Sequence, residues 1–427
     1  MATFPSIEKL STAKSDAELT HEARGLNAVI RFQSSHEAVD FVFAGSGVSE
    51  VRQSQGEAAV TLAASDDFWS TAFQLQESGR PWPGYESLTM GQTTGLTTTG
   101  DFIGVIAPYS LALQRLFFVF VQAVRPLNRR PFVETFRDSD NAVGRYVWVK
   151  ANGQEARMYY EEAGTGTTPL LCQATAGADS RQYRYLLADP EVQKRFRIIA
   201  YDLPYHGRSL PPSGDRWWEK IYSPDLEYLM NWVVAFSDAL ELEQPFFMGC
   251  SVGGQLALDL AAEHNDRFGA FISLNGWYDV PPALASFSND LFRTPSISPH
   301  LFSANMIGAS GPIAPEANVH EVQWIYASNY SGVYAGDNDY FARGHDLKRN
   351  GHKIRQGTKP VFLLCGEYDH AAHDQEHGAP AVARHIPNVE FIVLDGLSHF
   401  AMSDDPMAFR EALIPVLDRI VEQKDKL

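Results

Sequence analysis

From about residue 142 onward, short apolar runs alternate with longer amphipathic stretches, the spacing expected of strands followed by helices. Apolar runs at 169–172, 197–201, 245–248, 270–274, 361–365 and 390–394 read as strands, and 226–240, 255–264 and 407–422 as helices. Two further runs, 146–149 and 156–160, read as an opening antiparallel pair. Such alternation predicts an α/β domain with a largely parallel sheet and helices on both faces. Its chemistry is expected beyond the carboxyl ends of the strands.

The pattern fails in two places. Residues 1–140 show alternating stretches at 38–43 and 58–63, a helix near 67–73, and an apolar segment at 111–124 interrupted by Gln114, Arg115 and Gln122. This predicts a smaller α+β domain, joined to the rest by the polar link Arg137-Asp138-Ser139-Asp140-Asn141. The second failure is 280–351, rich in Ser, Pro, Asn and aromatics such as Phe287, Phe292, Phe302, Trp324, Tyr326, Tyr330, Tyr334 and Tyr340. It is too long for a bare loop and reads as an inserted cap. The expected organisation is an accessory domain at 1–140, a core at 141–279 and 352–427, and a cap at 280–351.

Composition narrows the functional classes. With 44% hydrophobic and 20% charged residues over 427 positions, the chain has the mixture of a globular protein with two units. A net charge of −17 argues against nucleic acid and anionic membranes as partners. The basic group Arg125, Arg129 and Arg130 reads as a solvated connection. The 111–124 segment is shorter than the ~18–20 residues of a membrane span and reads as a docking helix, so no stable membrane insertion is expected. The beginning of the chain has neither the basic patch nor the apolar core of a secretory signal, and the cysteines Cys172, Cys250 and Cys365 fall near strand ends without a disulfide framework. A cytoplasmic location is expected. No sequence feature decides whether the chain forms a homodimer.

The chemistry centres on Gly249-Cys250-Ser251-Val252-Gly253, placed between the run 245–248 and a helix-forming segment. A strand, a tight turn and a helix in that order make a nucleophile elbow, which exposes Ser251 in a strained conformation. A serine hydroxyl needs an imidazole to take its proton and an anion to orient that imidazole. Gly366-Glu367-Tyr368-Asp369 follows the 361–365 run, and Gly396-Leu397-Ser398-His399-Phe400 follows the 390–394 run. The order Ser251, Asp369, His399 is the one this arrangement requires. Asp279, in Asn275-Gly276-Trp277-Tyr278-Asp279, is a rival acid. The backbone N–H of Val252 is the first expected donor to an oxyanion.

These motifs, with Tyr201-Asp202-Leu203-Pro204-Tyr205-His206-Gly207-Arg208-Ser209 and Asp404-Asp405-Pro406-x-x-Phe409, resemble the α/β-hydrolase family over roughly residues 142–425. The resemblance implies Ser251 as nucleophile, His399 as general base and Asp369 as its orienting acid, with His206 structural in its turn. The segment Gln173-Ala174-Thr175-Ala176-Gly177-Ala178-Asp179-Ser180-Arg181-Gln182 is similar to a branch whose loop has histidine where Ala174 stands. It implies Ala176, or alternatively Thr175, as the second oxyanion donor. In the accessory domain, Asp66-Asp67-Phe68-Trp69 and a later Gly100-Asp101 step resemble the sterol-carrier-like fold.

No phosphate-cradling glycine loop is present, so no nucleotide cofactor is implied. His370, His373 and His377, spaced along one helix face near Asp374, read as a solvated face and not as a metal site. The expected function is a cofactor-independent serine hydrolase acting on an ester, lactone or related acyl bond of a fairly large apolar small molecule. Two alternatives stand beside it: a carbon–carbon bond hydrolase or condensation or cyclisation catalyst using the same triad, and a non-catalytic binder of small molecules or lipids.

Overall fold

A computed structural model describes residues 4–281, 292–294 and 299–424. The chain divides into two compact units, the first drawn from 1–130 and 295–316, the second from 131–294 and 317–427. Residues 295–316 therefore group with the first unit, although their sequence places them in the cap. Phe287 lies outside the described residues.

The first unit carries a five-stranded sheet in the order β3-β2-β1-β4-β5. Its strands are β1 (Arg24–Gln33), β2 (Ala38–Ser46), β3 (Val48–Gln53), β4 (Val60–Ala63) and β5 (Thr97–Gly100). The hydrophobic pattern does not reveal β3, β5 or the central strand β1, the last because Asn27, Arg31 and Gln33 interrupt it. Arg31 is tolerated there since its guanidinium meets buried Asp40 on β2 at 2.8 Å. The apolar segment forms helix α1 (Ser110–Gln122), whose Leu113, Leu116, Phe117 and Phe120 enter this unit's own core. Phe120 stacks on Phe32 with ring centroids 4.1 Å apart.

The basic group behind α1 is not a solvated connection. Arg125 is buried, donating to Ala72 O at 2.9 Å and pairing with Glu86. Arg129 donates to Ala314 O at 3.1 Å. Both spend their charge inside this unit's own framework.

The second unit is an eight-stranded sheet in the order β13-β12-β11-β10-β8-β9-β7-β6. Its strands are β6 (Val143–Ala151), β7 (Gln154–Ala163), β8 (Thr168–Gln173), β9 (Phe196–Tyr201), β10 (Phe246–Cys250), β11 (Ala270–Leu274), β12 (Val361–Gly366) and β13 (Val389–Leu394). Only β7 runs against the other strands, antiparallel to both β6 and β9. Side chains alternate across the sheet: Phe247 points to one core, Phe246, Met248 and Cys250 to the other. On the first face lie α2 (Leu226–Ala239) and α3 (Val252–Glu263), and on the second the C-terminal helix Pro406–Lys424.

Chain order reverses at β8, which lies between β10 and β9. This is the topological switch point, where loops leaving adjacent strands diverge and open a crevice. The loop after β8 and the turn after β10 are consequently neighbours. The inserted segment supplies α4 (Glu316–Ala327), α5 (Ser331–Asp339) and α6 (Leu347–Gln356). Of these α6 packs on α3 as part of the core, burying Leu347 and Ile354. Among the described residues no helix is long and apolar enough to cross a membrane.

Candidate active site

Ser251 sits between β10 and α3 with φ 58° and ψ −117°, a conformation that costs a residue with a Cβ about 1–3 kcal/mol and that the surroundings must impose. They do so through backbone. Ser251 N–H donates to Leu274 O on the neighbouring β11 at 2.9 Å. A Cβ on Gly249 would lie 2.2 Å from Gly253 O, and one on Gly253 would lie 2.8 Å from Gln173 O. Both glycines are therefore required by close approach, and the second shows the elbow pressed against the end of β8.

The structure brings Asp369 and His399 together. Asp369 follows β12 and is 2% exposed, and its Oδ2 receives His399 Nδ1–H at 2.5 Å. Burial works against a charge on His399, but the Asp369 carboxylate outweighs it, so the imidazole pKa lies above its ordinary value. With Nδ1 held by Asp369, Nε2 is the edge left for a substrate proton. His399 is tied to the elbow through its own carbonyl, which accepts from Cys250 Sγ at 3.1 Å and from Asn275 Nδ2 at 3.0 Å. Among the described residues no hydrogen bond yet joins Ser251 Oγ to His399 Nε2; such contacts often close only with substrate in place.

The rival acid is committed elsewhere. Asp279 pairs with Lys348 Nζ at 2.5 Å and with His377 Nδ1 at 3.0 Å. The three histidines of that region do not converge: His373 Nε2 faces Gly366 O at 2.9 Å, while His377 faces Asp279.

Sequence reasoning passes over Asn275. Its backbone stands at φ 55°, its Oδ1 accepts the Gly366 N–H at 2.9 Å, and its Nδ2 holds the His399 carbonyl. One side chain thus ties the loops carrying Asp369 and His399 to the end of β11. The only signal in the sequence is an Asn-Gly pair directly after an apolar strand, a pair that favours positive φ.

The first turn of α3 presents the Val252 N–H, which has no acceptor four residues back within the helix. Of the two alternatives in the loop after β8, Thr175 is corrected: its N–H is already given to Gln182 Oε1 at 3.0 Å. Ala176 is the remaining alternative. The loop is buried throughout, and Thr175 Oγ1 also meets Tyr326 on α4.

His206 is structural, as its motif implies, with Nδ1 facing Pro204 O at 3.0 Å and Nε2 facing Asp337 Oδ2 at 2.8 Å. Asp202, in the same turn, receives the N–H groups of Ser180 and Arg208, each at 2.8 Å. Burial and the nearby Asp179 push its pKa up to about 6.

The aromatics of the inserted segment do not act as one lining. Tyr340 is buried against Asp259, Tyr326 packs on Phe400 at 5.7 Å between centroids, and Trp324 is 71% exposed. Phe302 belongs to the first unit. A cavity of about 310 Å³ opens beside α5, walled by Tyr205, Trp217, Tyr222, Tyr330 and Val333.

Residues 168–309 match the sequence model of the alpha/beta hydrolase fold. The chain is similar to haloalkane dehalogenase 2 of Mycobacterium bovis, 24% identical over 274 residues, covering 62% of this chain and 92% of that protein. It is also similar to the 2-hydroxy-6-oxononadienedioate/2-hydroxy-6-oxononatrienedioate hydrolase of Paraburkholderia phymatum, 22% identical, covering 66% of this chain and 99% of that one. Among solved structures, an esterase of Thermogutta terrifontis superposes with a TM-score of 0.55 at 19% identity, over 65% of this chain and 99% of that one. The chain is an alpha/beta-hydrolase-fold protein. The fold spans the second unit.

Proposed function

We propose that the protein is a cofactor-independent serine hydrolase cleaving an ester, lactone or related acyl bond of an apolar small molecule. The observation that carries the reading is the Asp369–His399 pair at 2.5 Å, on loops leaving β12 and β13, beside a serine held at φ 58° by close-packed glycines. In this reading His399 Nε2 takes the Ser251 proton as Oγ attacks the carbonyl carbon. Asp369 holds the tautomer and balances the imidazolium. The N–H groups of Val252 and Ala176 receive the oxyanion. His399 then returns the proton to the leaving oxygen, and water repeats the sequence to release the acid.

Esterase activity in a structural neighbour supports the acyl-bond class. The test is hydrolysis of short p-nitrophenyl esters by the wild type and Ser251→Ala, with fluorophosphonate labelling of Ser251 alongside. Unchanged turnover in the variant would remove the reading. Failure of the wild type to label would instead favour a non-catalytic binder.

A second reading keeps the triad and changes the bond to a carbon–carbon bond next to a ketone. The dienedioate hydrolase among the relatives favours it. Mass spectrometry of products from 1,3-diketones and from simple esters separates the two, since activity confined to esters would eliminate the second.

A further inference from the structure

The peptide unit that carries the Ala176 N–H is fixed from three sides. On its N-terminal side the Thr175 N–H is held by Gln182 Oε1 at 3.0 Å. Its own carbonyl, that of Thr175, accepts from Ala178 N–H at 3.2 Å. On its C-terminal side the Gly177 N–H is given to Asp337 Oδ2 at 2.7 Å. In a trans peptide the C=O and N–H point in opposite directions, so turning the Thr175 carbonyl into the loop aims the Ala176 N–H outward. The Gly177 anchor sets the plane of the next peptide and with it the pitch of that aim.

Two of these anchors lie within the loop and its continuation. The third comes from α5, some 160 residues further along the chain. Asp337 is 2% exposed, and its Oδ2 is shared between Gly177 N–H and His206 Nε2 at 2.8 Å, while Oδ1 receives the Tyr222 hydroxyl at 3.3 Å. Both ring nitrogens of His206 face acceptors, Pro204 O and Asp337, so the ring carries two protons and a charge that the carboxylate neutralises. A fully engaged buried carboxylate of this kind is rigid. Helix α5 also lies against the loop itself, since a Cβ on Gly177 would stand 2.6 Å from Tyr334 Cβ.

We propose that Asp337 is a positioning residue for the oxyanion hole: by holding the Gly177 N–H from α5, it aims the Ala176 N–H at the developing oxyanion. The proposal rests on Ser251 being the nucleophile. Asp337 touches neither substrate nor reacting atoms. Its effect therefore falls on stabilisation of the tetrahedral intermediate and not on ground-state binding.

The experiment compares wild type, Asp337→Ala and Asp337→Asn on p-nitrophenyl butyrate, with rates expressed per Ser251 site titrated by a fluorophosphonate, so that unfolded protein does not count. Phenylboronic acid is the second readout. Its boron accepts the Ser251 oxygen as the hydroxyl proton passes to His399, placing a negative oxygen in the hole. Misaiming one donor is expected to lower kcat of Asp337→Ala about 10- to 100-fold with KM within about twofold, and to raise the boronate Ki in parallel. Asp337→Asn keeps an oxygen for the Gly177 N–H and is expected to recover most of both.

Three results would each overturn the proposal: kcat per titrated site in Asp337→Ala within about twofold of wild type, a fall in kcat with no change in boronate Ki, or an Asp337→Asn defect as large as that of alanine. Absence of Ser251 labelling in the wild type would remove the hydrolase reading together with this one. A labelled, active wild type with an insensitive Asp337→Ala would remove this one alone.

Discussion

The two walls of the candidate active site are built in different ways. On the side of β10 to β13 the reacting groups hang on backbone: Ser251 N–H on Leu274 O, Asn275 N–H on Leu364 O and Glu367 N–H on Leu394 O. On the side of β8, the loop 174–179 is held by side chains from far along the chain, among them Asp337, Tyr326 and Asn329. Sheet backbone fixes a position to within the tolerance of a parallel ladder, and it leaves a motif in the sequence. Side-chain bracing from an inserted helix fixes a position equally well and leaves almost none.

Perturbing the backbone-held wall should give the largest effects. Ser251→Ala removes the attacking atom and is expected to lower kcat by about 10⁴-fold or more while the fold, measured by circular dichroism, is kept. Retained kcat would mean that the strained elbow serves some end other than attack.

Next in size is Asp369→Asn, expected to lower kcat by roughly 10³–10⁴-fold. Its pH profile carries the sharper information. The imidazole acts as a base only when neutral, and Asp369 holds its pKa above the ordinary value of about 6.5. In the wild type kcat/KM should therefore rise with pH through a midpoint above that value and then level off. Without the Asp369 carboxylate, burial lowers the ring's pKa with only the Asp404 charge left to oppose it, so the acid limb should move to lower pH as the plateau falls. A limb that stayed in place would show that Asp369 does not set the histidine's charge.

The same division explains what could be read in advance. The strand at 361–366 coincides with an unbroken apolar run and that at 270–274 is interrupted only by Ser273, because strands buried on both faces admit little else. Ser251 directly follows β10, while Asp369 and His399 stand on the loops after β12 and β13, so the strand pattern located the loops and the motif resemblance picked out the residues on them. Strand β1 escaped because an internal ion pair, Arg31–Asp40, lets a charged residue stand in the middle of a sheet. The grouping of 295–316 with the first unit escaped because helix Pro299–Ala309 lacks a one-sided apolar stripe that would have announced its packing. Thr175 and Ala176 could not be separated from sequence, since the distinction depends on where Gln182 points its carboxamide.

Asn275 lies between the two modes, a side chain that acts on backbone. Asn275→Ala would strip the Gly366 N–H of its acceptor and the His399 carbonyl of one of its two donors, and would place a residue with no αL preference at φ 55°. A stability loss of about 1–3 kcal/mol is expected from the buried polar groups left unpaired, read by urea unfolding. Activity should fall as well, by about tenfold, because the His399 loop gains freedom at a distance where 1 Å matters. A variant that lost stability and kept full kcat would show the triad loops to be held by the ladder alone.

The smallest effects should separate two aromatics of α4 that sequence composition treats alike. Tyr326 is 1% exposed, with its hydroxyl on Thr175 Oγ1 and its ring against Phe400, whereas Trp324 is 71% exposed. Tyr326→Phe keeps the ring and deletes the buried hydroxyl with its contacts to Thr175 and Gln182, for an expected loss of about 0.5–1.5 kcal/mol in unfolding free energy. Trp324→Ala removes a far larger side chain, yet most of its surface already meets water. Its effect on stability should stay within about 0.5 kcal/mol. Kinetics divide the pair again: the loop that Tyr326 supports carries the Ala176 N–H, so Tyr326→Phe should lower kcat more than it changes KM. Equal effects from the two substitutions would mean that α4 braces the loop by its bulk, and that the hydroxyl contact contributes nothing of its own.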